Sequence, residues 1–366
     1  MCELLDHGYP ACMNVTSSEP PLPSARGRIS AAIIEYLRHT GPLPGSKEIS
    51  SAAPLGDDLQ LALYICYELH YRGFSDVDVD VDADCEWDPE LLKVRAALEQ
   101  PFLQTLRDTA TVHQHADEAL DELLVEPVDG SGVSHFLRDE GELWQVREYA
   151  AQRSLYHLKE ADPHAWVLPR LWGRAKAGMA AVEFDEFGAG RADRVHARLF
   201  ADLMADLGLN TAYGHYLDAT GAEALATVNL MSLFGLHRVL RGALVGHFAT
   251  VEITSSPGSR RLAQAMRRTG AGPAAEHFYD EHVEADAVHE QVVRRDVVAG
   301  LLEEEPHLDG DVAFGADATT YLEDRLAERL LGAWRAEESS LRVPVRPAFR
   351  PRTGSPASVG TGGEAP

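Results

Sequence analysis

From Glu140 to Arg342 apolar residues return every three or four positions, with almost no alternating strand signal among them. That periodicity confines the chain to packed helices. The spacing predicts helices over Glu140–Ala161, stopped by Pro163, and over Ala165–Phe187, closed by Gly188 and Gly190. Further helices are expected over Arg191–Asp206, Ala219–Leu236, Val239–Thr254, Ser259–Thr269, Pro273–Glu303 and Thr319–Arg342. So many helices joined by short links make an all-α bundle.

The same period continues upstream over Arg28–Arg38 and Asp57–Tyr71, so the bundle carries an N-terminal helical extension. Residues 26–130 form this accessory region, with breaks at Pro101, Val125-Glu126-Pro127 and Gly130 as a soft boundary before a main domain over 131–342. Residues 1–25, with Pro10, Pro20, Pro21 and Pro23, are expected to be a disordered leader. Residues 343–366, rich in Pro, Gly, Ser and Thr, are expected to be a disordered tail. Between Asp76 and Asp82 acids alternate with valines, which suits a short strand or an extended loop; an EF-hand would need a Gly and a closing Glu that this run lacks.

Charge narrows the function classes. The chain has 58 acidic against 33 basic side chains, a formal net charge of -25. Such a surface repels phosphate backbones and anionic lipid heads, so neither nucleic acid nor a membrane is the expected partner. Cys2, Cys12, Cys66 and Cys85 have neither the spacing of a zinc knuckle nor that of a disulfide framework. No basic segment leads into an apolar stretch at the N-terminus, and no run is long enough to span a bilayer, so a cytoplasmic location is expected.

The chemistry concentrates in Phe278-Tyr-Asp-Glu-His-Val-Glu-Ala-Asp-Ala-Val-His289. At about 100° per residue, His282, Asp286 and His289 fall within roughly 60° of one another, so two imidazoles and a carboxylate leave one stripe of a helix. Two imidazoles with carboxylates suit iron or manganese, and also zinc. A solvated face would account for Glu281, Glu284, Glu290 and Arg294 but not for that stripe. One helix cannot surround a metal, so partners must come from elsewhere. Glu160, Glu186 and His196 are candidates near helix ends. Glu252, in the apolar run Phe248-Ala-Thr-Val-Glu-Ile253, is the most telling, because a lone buried carboxylate is costly without a cation.

The set Glu160, Glu186, His196, Glu252, His282, Asp286 and His289 resembles the ligand set of the haem-oxygenase-like di-iron oxidases, the iron-containing redox enzymes. The resemblance runs over about residues 140–300. It rests on Tyr156-His-Leu-Lys-Glu-Ala-Asp-Pro-His-Ala-Trp166, on Glu183-Phe-Asp-Glu-Phe-Gly-Ala-Gly190 with Arg194-Val-His196, and on the His-x₃-Asp-x₂-His element. It implies a haem-oxygenase-like helical bundle holding two irons per chain. Glu160, His196 and His289 would help to hold one iron and His282 and Asp286 the other, with Glu252 bridging or lying close to both and Glu186 as an additional carboxylate. It further implies an enzyme that uses O₂ and an external reductant to oxidise a small amino- or carboxylate-bearing metabolite, by N-oxygenation, desaturation or C–C cleavage. A homodimer is compatible with the sequence.

Two other readings stay open at the level of sequence: a non-catalytic helical scaffold or binding protein, and a haem- or tetrapyrrole-handling protein. His157, His164, His215, His237, His247 and His277 read as packing, capping or ligand-supporting residues. Trp166, Tyr156, Tyr213 and Phe278 read as core, any one of which could donate electrons. Arg153, Arg170 and Arg194 read as salt-bridge residues before substrate anchors.

Overall fold

The computed structural model describes residues 19–77, 85–125 and 130–345. Among these every regular element is helical, so the all-α expectation holds. The extension comprises α1 (Arg28–Leu37), α2 (Ser46–Ser50), α3 (Asp57–Glu68), α4 (Pro89–Thr109) and α5 (Ala116–Leu123). The remaining helices are α6 (Val133–Asp139), α7 (Leu143–His157), α8 (Asp162–Ala165), α9 (Gly173–Glu186), α10 (His196–Asp206), α11 (Ala222–Leu236), α12 (Arg241–Thr269), α13 (Pro273–Val292), α14 (Ala299–Glu304) and α15 (Asp309–Arg335). A π turn over Val293–Val298 joins α13 to α14 without a break.

Helix α12 is the axis of the assembly: α13 and α15 lie along it, α10 packs on α13, and α9 packs on the π turn. Its contact with α15 is made backbone to backbone. A Cβ on Gly246 would fall 1.9 Å from the Val312 carbonyl oxygen, and one on Gly315 would fall 2.0 Å from that of Ala243. Glycine at both positions is what lets the axes approach this closely.

Several helix limits differ from those the sequence implied. The break expected between Thr254 and Ser259 is absent, and α12 runs straight through Pro257. Pro101 likewise lies inside α4. An interior proline removes one hydrogen bond, at a cost of about 3 kcal/mol, but both helices are buried on either side of it: Leu98 and Phe102 in α4, Ile253 and Leu262 in α12. Packing outweighs the missing bond. The helix expected over Ala165–Phe187 starts only at Gly173, after a 3₁₀ turn over Leu168–Arg170. The last helix begins earlier than expected, at Asp309 rather than Thr319, and ends at Arg335 rather than Arg342.

Residues 19–25, assigned by sequence to a disordered leader, are packed on the body. Pro20, Leu22 and Pro23 are buried, Leu22 N donates to Asp76 Oδ1 (2.6 Å), and Ser24 binds Asp218. Prolines preset the extended backbone, and three apolar side chains supply the burial that holds it there. The remainder of that leader, positions 78–82 of the acidic run, Glu126-Pro127 and the tail beyond 345 lie outside the described residues.

One buried apolar network contains residues of the extension (Ile33, Leu63, Phe102) and of the later helices (Leu155, Phe234, Phe248, Val297). A second, around α7, α10, α13 and the end of α15, centres on Phe200, Met266, Phe278 and Trp334. Buried along with these networks is a set of acids and imidazoles.

Candidate metal centre

All seven side chains singled out in the sequence are buried, none more than 7% exposed. Five elements deliver them. Glu160 stands in the turn that follows α7, Glu186 is the last residue of α9, and His196 is the first of α10. Glu252 lies in mid-α12, and α13 contributes His282, Asp286 and His289 from its buried stripe. Helix ends at Glu186 and His196 follow from the Gly188–Gly190 break, which turns the chain and brings His196 Nδ1 to 2.6 Å from Glu186 Oε2.

The donor atoms fall into two groups. Glu160, Glu186, His196 and His282 can place one atom each within 4.8 Å of one another, and so can Glu186, Asp286 and His289. Glu186 belongs to both. Its Oε1 is 3.5 Å from His289 Nδ1, and the same nitrogen lies 3.4 Å from Glu252 Oε2 and 3.6 Å from Asp286 Oδ1.

This grouping departs from the division implied by resemblance, which set His289 with Glu160 and His196, and His282 with Asp286. The cause is the rise of α13. His282 and His289 are seven residues apart, about 10 Å along the axis, so His282 meets His196 (ring centroids 4.4 Å apart) while His289 stays beside Asp286. The shared position is held by Glu186, and Glu252 approaches through His289.

Hydrogen bonds around the cage orient its donors inward. His282 Nδ1 donates to the Phe278 carbonyl at 2.7 Å, which leaves Nε2 buried without a partner. His289 Nε2 meets Asp185 Oδ2 at 3.4 Å, which leaves Nδ1 without a partner. Glu160 Oε2 accepts from His157 Nδ1 at 2.9 Å. His196 Nδ1, Glu252 Oε2 and Asp286 Oδ2 are also buried without a hydrogen bond, and His196 Nδ1 lacks one despite its 2.6 Å approach to Glu186 because the angle is wrong. Buried polar atoms are nearly always paired. Here the unpaired ones converge, and His282 and His289 each have their other nitrogen tied down, which is how metal-ligating histidines are held. Imidazole nitrogens with carboxylates fit iron.

Charge in the metal-free cage is accommodated by protons. Burial, and then the Glu160 charge, pushes the Glu186 carboxyl up to about 8. Burial also pushes Glu252 up to about 8, against the pull of His289. Burial opposes a charge on His289, but the adjacent Asp286 and Glu252 carboxylates overcome this and raise it to about 11. Glu160 is held down at about 2: burial works against its charge, and the adjacent His157 more than offsets that. A cation entering the cage would displace these protons.

Three supporting residues escaped the sequence reading as specific partners. Glu183, one turn before Glu186, is 2% exposed with neither oxygen hydrogen-bonded. Burial, reinforced by Glu186 and Glu252, raises it to about 9. Asp185 and His157 steady His289 and Glu160. An acid-rich end of a helix shows in the sequence; which acid turns inward does not. The arginines are engaged elsewhere: Arg153 with Glu323, Arg194 with Glu281, and Arg170 on the carbonyls that end α11. Phe278 packs on His282, with ring centroids 4.3 Å apart.

No curated protein matches the chain. Residues 147–324 match the model of a family described as iron-containing redox enzymes, and that span holds every candidate ligand and both donor groups. The match covers just under half of the chain, and the all-α arrangement of the described residues is consistent with that family's haem-oxygenase-like fold.

Proposed function

We propose that this chain is an O₂-dependent di-iron oxidoreductase that oxidises a small amino- or carboxylate-bearing metabolite with electrons from an external reductant. The observation that carries this reading is Glu186, which belongs to two buried donor groups at once. A carboxylate so placed suits a pair of cations better than one. Bound iron would supply O₂ activation and the redox change, for which hard anionic carboxylates that can bridge or bind terminally are suited.

The chain's own residues prepare the site. Phe278 O and Asp185 hold His282 and His289 with one nitrogen free. His157 leaves Glu160 one oxygen for a metal. Phe200 and Phe278, both buried, wall one side against water. Glu160, Glu186, Glu252 and Asp286, once ionised, offset two divalent cations. Glu183 is then surplus, and a buried carboxyl with no partner favours the amino group as the substrate's handle.

The test is anaerobic titration with ferrous iron, followed by O₂ and optical monitoring. Uptake of about two irons per chain and an O₂-dependent absorbance change are expected. His289→Ala and Glu252→Ala should each abolish that change with helical content retained by circular dichroism. Parent-like reactivity in both variants would show the ligand assignment to be wrong. No iron uptake by the parent would return the chain to the scaffold reading.

A further inference from the structure

Four buried polar side chains outside the ligand set form one continuous line. Tyr156 Oη lies 3.3 Å from His164 Nδ1, and His164 Nε2 lies 3.1 Å from His247 Nε2. His247 Nδ1 lies 2.8 Å from Thr319 Oγ1, which in turn lies 2.7 Å from the Gly315 carbonyl oxygen. The members come from α7, α8, α12 and α15, and none is more than 9% exposed.

The far end determines where every proton sits. A carbonyl oxygen only accepts, so Thr319 spends its single hydroxyl proton on Gly315. His247 Nδ1 must then donate to Thr319, which leaves His247 Nε2 as an acceptor. His164 Nε2 therefore carries a proton and His164 Nδ1 a lone pair, and Tyr156 donates its hydroxyl proton there. The opposite tautomer of His164 would set two lone pairs against each other across 3.1 Å. Burial keeps both rings neutral: it lowers His164 well below its usual value, with His247 adding to the effect, and brings His247 to about 4.

We propose that Tyr156 is a redox-active side chain, giving one electron to the oxidised metal pair while its hydroxyl proton crosses to His164 Nδ1; this rests on the di-iron reading. The O–H bond breaks, an N–H bond forms, a neutral phenoxyl radical remains, and one metal ion is reduced by one electron. The imidazolium then passes its Nε2 proton to His247 Nε2, where the Glu323 carboxylate is the charge that favours it. Reduction of the radical draws the proton back along the same line.

Placement distinguishes Tyr156 from the other buried phenols. Its hydroxyl is within electrostatic reach of Glu160, Glu186, Glu183 and Glu252, and its ring lies 5.2 Å from that of His157, the partner of Glu160. Burial, then those carboxylates, raise its pKa well above 10, so the phenol does not ionise alone and the electron and proton leave together. Tyr279 also senses Glu160, but its hydroxyl has no hydrogen-bond acceptor. The Tyr213 hydroxyl is bound to Glu68, which already pairs with Lys159.

The test uses the full chain loaded anaerobically with ferrous iron, mixed with O₂ and frozen for electron paramagnetic resonance. An organic radical is expected whose hyperfine structure narrows when tyrosine is ring-deuterated. Tyr156→Phe should lose it while iron uptake and O₂-driven iron oxidation persist, and His164→Gln should lower its yield several-fold. On the metal-free protein, ¹⁵N resonances should show His164 protonated at Nε2 and His247 at Nδ1. Iron that binds and is oxidised without a radical, or a radical that survives Tyr156→Phe, overturns the proposal and leaves the di-iron reading intact. Reversed tautomers overturn the proton route without reference to iron. A parent that takes up no iron overturns both.

Discussion

Lys159 Nζ and Glu68 Oε2 meet at 3.0 Å with neither side chain more than 1% exposed. Tyr213 also donates to that carboxylate, and the ammonium lies 4.1 Å from the centre of the Tyr71 ring. The pair ties α3 of the extension to the turn that carries Glu160. Breaking such a pair strands a buried charge, so Lys159→Met should destabilise the chain by about 3–5 kcal/mol. Adding Glu68→Leu should recover part of that loss in urea denaturation. A double variant weaker than the sum of both single losses would show that the pair is not the unit.

The two donor groups should empty separately. His282→Ala removes a donor of the Glu160 group and Asp286→Ala one of the His289 group, so each should lower iron content from about two per chain to about one. Glu186→Ala, which touches both, should lower it further than either. Iron measured by colorimetry after gel filtration decides this, and equal retention by Glu186→Ala and the parent would remove Glu186 from the shared position.

Glu183 sets a pH dependence in the metal-free protein. Its folded value of about 9 lies above the ordinary 4.5. Its neutral form therefore contributes stability that is full below about 4.5 and is lost as pH rises through about 9. Glu183→Gln keeps the shape and has no proton to lose, so its stability relative to the parent should increase between pH 5 and pH 9, by up to about 1.4 kcal/mol per pH unit. Urea midpoints for both proteins across that range test this; parallel curves would mean that Glu183 is ionised throughout.

At the α12–α15 crossing, Gly246→Ala should cost about 3 kcal/mol or more, since its methyl group would meet the Val312 carbonyl. Gly258→Ala in the same helix has open space before it and should cost little. Thermal melts of the two variants should differ clearly; similar melts would show that the helices can separate.

How far the sequence could be read depends on which physical signal each residue leaves. The His282-Asp286-His289 stripe was legible because helical phase depends only on residue count. Glu252 was legible because an acid in an apolar run needs a reason. Glu183 was not, since it sits among Asp185 and Glu186, where three acids look like a solvated end. Pro101 and Pro257 misled because a local bond count cannot see the burial that surrounds it. The grouping of donors around Glu186 depends on where α9 stops against α13, which is a matter of packing. The hydrogen-bonded line from Tyr156 to Thr319 joins residues on four separate helices, and no spacing rule connects them.

The π turn at Val293–Val298 comes directly after the ligand stripe. Because it houses an extra residue per turn, Val293 and Val297 remain on the buried side below His289. Helical phase here is thus a matter of arithmetic. The wide turn absorbs one residue, so a further residue inserted there as ordinary helix would rotate α13 by about 100° relative to α14. His282, Asp286 and His289 would then swing away from their partners as a unit, silencing the site although every ligand was still written in the gene.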